Sequence, residues 1–161
     1  MPIEIRSATE IDIPVVLELI RDLAQYEKMA HLVTATEDQL RETLFGARPA
    51  AEVLLAAYDG KTSGFAVFFS TYSTFLAKPG IYLEDIFVKT EFRGKGMGLA
   101  LMRRIARLAV DRGCGKINWQ VLRWNEPSIR FYEGLGAEVM DDWVSYRLRD
   151  GALEELAANS R

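Results

Sequence analysis

Cysteine and histidine are nearly missing from this chain, which has one of each, Cys114 and His31, in 161 residues. A single thiol excludes an internal disulfide, and one thiol with one imidazole is too few soft ligands for an ordinary structural zinc site. His31 has no serine or cysteine partner near it in sequence and reads as a loop histidine. Cys114, between Gly113 and Gly115, reads as a small packed residue. No apolar run reaches membrane-spanning length and no N-terminal signal pattern is present, so the expectation is a cytoplasmic chain with no membrane partner. Basic charge is not in excess either. The 20 Lys and Arg face 23 Asp and Glu, a net charge of −3, which argues against nucleic acid as the main partner. Repeats, linkers and low-complexity stretches are also absent.

What remains is the composition of a folded domain, 49% apolar and 27% charged, with enough residues for one core and too few for two. Residues 3–6 alternate as a short first strand. Thr9 opens a helix that carries Ile13, Val16, Leu17, Ile20 and Leu23 at helical spacing and runs to about Lys28, with Pro14 in its first turn. Thr36 with Gln39 is a capping box for a second helix ending near Gly46. Residues 52–58 and 63–71 flank Asp59-Gly60, a strong hairpin signal. A loop over 72–80 precedes a strand at 81–88. A helix spans about 96–112, and a further strand spans 116–122. Asn125 is a candidate N-cap for another helix, with Pro127 in its first turn. Val139 and residues 143–148 give the last one or two strands, and a polar, alanine-rich tail starts at about 150. This order predicts a single mixed α/β domain over 1–161.

The chemistry centres on residues 81–102. Glu84 and Asp85 are embedded in an apolar strand, and strand alternation puts them on opposite faces, leaving open which one faces a site. Arg93, Gly94, Lys95, Gly96, Met97 and Gly98 then form a basic glycine-rich turn into a helix. Glycine permits close backbone approach, and a helix N-terminus presents N–H groups and the positive end of its dipole, so the turn suits a phosphate or pyrophosphate. The spacing fits neither a P-loop nor the dinucleotide fingerprint. Further along the chain, Asn125, Ser128 and Tyr132 stand at i, i+3 and i+7 and share a helix face. The arginines at 103, 104 and 107 extend the basic patch and read most simply as a solvated face.

The pattern Arg93-x-x-Gly96-x-Gly98 between strand and helix resembles the acetyl-CoA pyrophosphate loop of the GNAT N-acetyltransferase superfamily. The run from Trp124 to Ala137 resembles that superfamily's second signature. With Tyr82-Leu-Glu-Asp85, Tyr26-Glu27 and Phe45-Gly46, the likeness extends over nearly the whole chain and is similar to the diamine (spermidine/spermine) and thialysine branch. It implies a mixed, mostly antiparallel sheet flanked by helices, with acetyl-CoA in the splay between the strands at 81–89 and 116–122. It implies direct acetyl transfer to the primary amine of a small molecule in a ternary complex, with no metal, in a homodimer. Tyr132 is then the general acid and Glu84 the base. Backbone of Ile86, Phe87 and Val88 meets the pantetheine. Arg93, Gly94, Lys95, Gly96, Met97, Gly98 and Leu99 meet the pyrophosphate, and Asn125, Ser128 and Tyr132 the rest of the cofactor. Tyr26, Glu27, Glu84, Asp85, Asn118, Trp119, Gln120 and Asp141 are the expected substrate neighbours.

A base is chemically required. A lysine-like ammonium has a pKa near ~10.4, so at neutral pH roughly one molecule in two thousand is the free amine, a handicap of about 4–5 kcal/mol. In the polyamine branch an acidic residue follows the tyrosine of the loop before the central strand. Here that run is Tyr72-Ser73-Thr74-Phe75, as in thialysine-type enzymes. Losing the carboxylate removes a partner for a distal ammonium, so a lysine-like amino acid is favoured over spermidine. The competing reading from another class is a non-catalytic acyl-CoA sensor, which needs the glycine loop but neither Tyr132 nor Glu84.

Overall fold

In the computed structural model, residues 2–159 are described and fall into two compact units that divide after Leu122. The first unit is built on a five-stranded sheet whose spatial order follows the chain, β1 (Ile3–Ser7), β2 (Glu52–Tyr58), β3 (Lys61–Ser73), β4 (Lys78–Val88) and β5 (Ile117–Asn118). The first three pairings are antiparallel and β4–β5 is parallel. The mixed, mostly antiparallel sheet is as expected. The hairpin turn uses Asp59 and Gly60 with φ of 47° and 78°, the doubly left-handed conformation that matches the twist of the flanking strands.

Helix α1 (Ile13–Tyr26) starts later than Thr9 because residues 10–12 form a 3₁₀ turn. The Asp12 carboxylate accepts the Thr9 N–H at 2.7 Å and a two-pronged contact from the Arg6 guanidinium, 2.8 Å on each side. These bonds tie the helix entry to β1. The helix ends where Lys28 adopts φ 61°. Helix α2 (Glu37–Phe45) has the anticipated box, in which Thr36 Oγ1 accepts the Gln39 N–H and Gln39 Oε1 accepts the Thr36 N–H. α1 and α2 bury Ile13, Val16, Leu17, Leu19 and Leu40 against Val53, Leu55, Phe65 and Phe87 on one face of the sheet. Helix α3 (Met97–Asp111) buries Leu101, Met102, Ile105 and Ala109, and it packs on the other face, against β1 to β4.

The second unit contains α4 (Glu126–Gly134) and α5 (Asp150–Ala158). The strands expected at Val139 and at 143–148 do not form, because alternation makes a strand only where another strand supplies the ladder. The supposed tail from 150 is instead helix α5. The strand expected over 116–122 is reduced to two residues, and β3 and β4 both run further than expected into the 72–80 loop. No helix among the described residues is long and apolar enough to cross a membrane.

Candidate active site

Two features of the sheet create the site in the first unit. The β4–β5 ladder consists of Ile81 with Ile117 and Tyr82 with Asn118, while β4 continues to Val88. The strands therefore part after Tyr82, which opens the β4 edge along residues 83–88. The second feature is a bulge. Phe68 pairs with Leu83 but Val67 pairs with Asp85, so Glu84 is the extra residue, and the strict alternation expected for Glu84 and Asp85 is broken there. Directly paired residues share a face. Asp85 thus lies on the face of Val67, Phe65 and Phe87, the side covered by α1.

That side is acidic. Burial, then the neighbouring carboxylates of Glu84 and Glu27, push the half-buried Asp85 carboxyl up to about 6. Burial also raises Glu27, at the end of α1, above the usual carboxylate range. Tyr82 is raised by burial and by the Glu84 charge. Carboxylates crowded this way repel one another until a cation joins them or a proton is taken up, and either suits the handling of an ammonium group. No group of His, Cys, Asp and Glu among the described residues is arranged to hold a metal.

At the far end of β4 the chain turns through residues 90–92 into the glycine loop. Gly94 and Gly96 have φ of 75° and 87°, and Gly96 is the N-cap of α3 with no side-chain cap. A Cβ at Gly94 would meet nothing within 4 Å, and one at Gly96 only Ile3, at 3.7 Å. Space is therefore open beside both glycines directly ahead of the α3 N-terminus, an arrangement that fits a pyrophosphate.

The basic side chains of the loop are turned elsewhere. Arg93 donates from Nε to the Val88 carbonyl at 3.0 Å. Its guanidinium lies 4.2 Å from the Tyr26 ring centroid and 5.5 Å from that of Phe87. Lys95 sits 4.5 Å over Tyr58 and 5.1 Å over Phe92. Arg93 thereby ties the glycine loop to the end of α1, where Glu27 follows Tyr26. Sequence reasoning missed this contact, and no spacing pattern signals a pair 67 residues apart.

The structure thus brings Tyr26, Glu27, Glu84, Asp85 and Arg93 into one neighbourhood. Asn118 ends β5, and Trp119 and Gln120 follow at the point where the strands have parted. In the second unit, Asn125 is buried at the N-cap position of α4 but makes no side-chain cap bond. Ser128 and the half-buried Tyr132 follow on the same helix face, and the Tyr132 ring lies 5.5 Å from that of Phe131. Asp141 is exposed in the irregular stretch between α4 and α5.

The comparisons with known proteins agree with this geometry. Residues 16–137 match the acetyltransferase (GNAT) family. A thialysine N-epsilon-acetyltransferase of Sus scrofa is 38% identical, over 95% of this chain and 96% of its own length. An L-ornithine N5-acetyltransferase of Arabidopsis thaliana is 34% identical, over 94% and 86%. Among solved structures, an integron cassette protein from the mobile metagenome of V. cholerae superposes with a TM-score of 0.82 at 25% identity, covering 98% of each chain. With the parted strands and the glycine loop in place as well, this chain belongs to the GNAT family and is an acetyltransferase.

Proposed function

We propose that this chain, acting as one acetyltransferase domain, moves the acetyl group of acetyl-CoA to the side-chain amine of a small lysine-like amino acid. The observation that carries the proposal is the acidic cluster of Glu27, Glu84 and Asp85 beside an open strand edge, with Asp85 raised to about 6. Relatives named for thialysine and for L-ornithine support the same substrate class. A relative named spermidine/spermine N(1)-acetyltransferase-like is 31% identical, and spermidine is the alternative acceptor. A cytoplasmic homodimer without metal, nucleic acid or membrane partner follows from the family resemblance and the composition.

In this mechanism the first-turn N–H groups of α3, from Met97 to Leu99, hold the pyrophosphate, with the backbone of Gly94 to Gly96. The open β4 edge at Ile86 to Val88 holds the pantetheine. Arg93 serves the cofactor indirectly, by fixing the loop against Tyr26. The bound thioester supplies an activated acetyl group and a thiolate leaving group. Glu27 and Asp85 attract the acceptor ammonium, with Tyr26 and Trp119 as walls and Asn118 and Gln120 as further polar contacts; a substrate role for Asp141 rests on the family resemblance alone. Glu84, exposed on the bulge, takes the proton through water. By the family resemblance, Tyr132 returns a proton to the departing sulfur, and Asn125 and Ser128 on its helix face contact the cofactor.

The test is thiol release from acetyl-CoA with thialysine, lysine, ornithine, spermidine and no acceptor in parallel. The expected order puts thialysine or ornithine first, and Tyr132→Phe loses about 10²-fold or more in kcat. A preference for spermidine would overturn the substrate class. Full activity of Tyr132→Phe would remove that residue from the proton pathway.

A further inference from the structure

At the other end of α3 from the glycine loop, the first unit holds a cavity of about 230 Å³. Leu108 lies ten residues beyond Gly98, about 15 Å along the helix axis. None of the cavity's lining residues belongs to β4, to β5 or to the glycine loop. Its walls come from the C-terminal half of α3, the end of β1, the start of β2, Phe68 of β3, and the end of α2 with the loop that follows. Leu44, Phe45 and Leu108 are among its apolar lining residues.

The charged groups of the lining are Glu52, Arg104 and Arg112. Glu52 and Arg112 satisfy each other. Two guanidinium nitrogens of Arg112 donate to the two carboxylate oxygens at 2.7 and 2.8 Å, and this bond holds Glu52 below its usual range and therefore ionised. Arg104 is exposed and has no carboxylate partner among the described residues. The lining thus has apolar walls and one unbalanced positive charge. A guanidinium presents a planar fork that matches a carboxylate. The volume is below the 300–1,000 Å³ range typical of drug-sized ligands and equals the space of roughly seven or eight waters. A compact apolar body carrying a single carboxylate meets all three conditions, displacing water from the apolar walls and pairing with Arg104.

We propose that this cavity is a second, non-catalytic binding site for a small aromatic or aliphatic monocarboxylate, held by Arg104 with its apolar part against Leu108 and Phe45. The site is independent of which amine the enzyme acetylates. Because α3 carries the glycine loop at its other end, an occupant that clamps the C-terminal half of the helix onto β2 is placed to influence the loop.

Benzoate is the probe, titrated into the isotope-labelled protein while amide chemical shifts are followed. Benzyl alcohol, of the same shape without the charge, and inorganic phosphate, with charge and no apolar body, are run beside it. The expected result is saturable benzoate binding with shifts centred on the amides of Phe45, Ala51 and Leu108. Benzyl alcohol and phosphate should bind at least several-fold more weakly. Arg104→Gln, a change at an exposed position, should weaken benzoate by roughly tenfold, the size of a lost charged hydrogen bond, and leave benzyl alcohol unaffected. Ala51→Phe, which fills the cavity, should remove binding of both organic probes. The proposal is overturned by no saturable binding at or below a dissociation constant of about 10 mM, about one order weaker than the millimolar benchmark. It is equally overturned by unchanged benzoate affinity in Arg104→Gln, or by shifts confined to Gly94–Gly98, where benzoate would be acting at the acetyl-transfer site.

Discussion

Replacing Asp85 by Asn should make the protein more stable and less active, and the gain should depend on pH in a defined way. In the folded chain the Asp85 carboxyl is raised to about 6 from an ordinary 3.8, because it is partly buried beside Glu84 and Glu27. A raised carboxyl prefers its neutral form in the folded state. Between about 4 and 6 the native state therefore holds a proton that the unfolded chain has released, and stability falls as pH rises through that window. The difference of about 2 units corresponds to about 3 kcal/mol of destabilisation fully present above pH 6. Asparagine is neutral throughout. At pH 7.5 the variant should gain up to about 3 kcal/mol, or roughly 6–12 °C in Tm for a chain of this size. Near pH 4 the difference should have shrunk to about 0.5 kcal/mol. Urea unfolding at pH 4, 5, 6 and 7.5 reads the convergence directly. Amine acetylation should drop in the same variant, since stability stored as repulsion at a site is released when the site is disarmed. A variant that is less stable at pH 7.5, or a stability difference unchanged by pH 4, would refute the reasoning.

The remaining predictions concern how the site is held. Arg93 and Tyr26, 4.2 Å apart, should show a coupling of about 0.5–1 kcal/mol in a double-mutant cycle of Arg93→Gln and Tyr26→Leu followed by urea unfolding; additive effects would mean the stacking contributes nothing. Gly96→Ala must adopt φ near 87°, and should cost about 1 kcal/mol in stability and weaken acetyl-CoA binding measured by calorimetry, with unchanged affinity counting against the loop as the phosphate site. Asp12→Ala removes the contacts to Arg6 and the Thr9 N–H, and should cost about 1–2 kcal/mol at pH 7. Those bonds hold the Asp12 carboxyl well below the usual carboxylate range. Their contribution is therefore present above pH 4 and fades as pH falls below it, so the wild type's advantage over Asp12→Ala should shrink in acid.

Local chemistry made much of the molecule legible in the sequence. The Thr36–Gln39 box, the Asp59-Gly60 turn, the apolar stripes of α1 and α3 and the glycine loop all act within a few residues of themselves. Each was read at or near its observed position, and the family followed from motifs of the same kind. What failed was whatever needs a distant partner. Residues 143–148 alternate like a strand, but alternation does not provide the second strand of a ladder, and the alanine-rich end of the chain folded as a helix instead. The β5 strand stops after Asn118 because β4 parts from it, and no pattern in either segment records that separation. The same holds at the site. The sequence by itself determined that two carboxylates would stand in a strand before a glycine-rich turn into a helix. Only the tertiary structure decided that a bulge at Glu84 turns Asp85 toward Glu27, and that Arg93 spends its charge on Tyr26. Register and stacking depend on chain segments far apart in sequence, and their energies exist only once those segments have met.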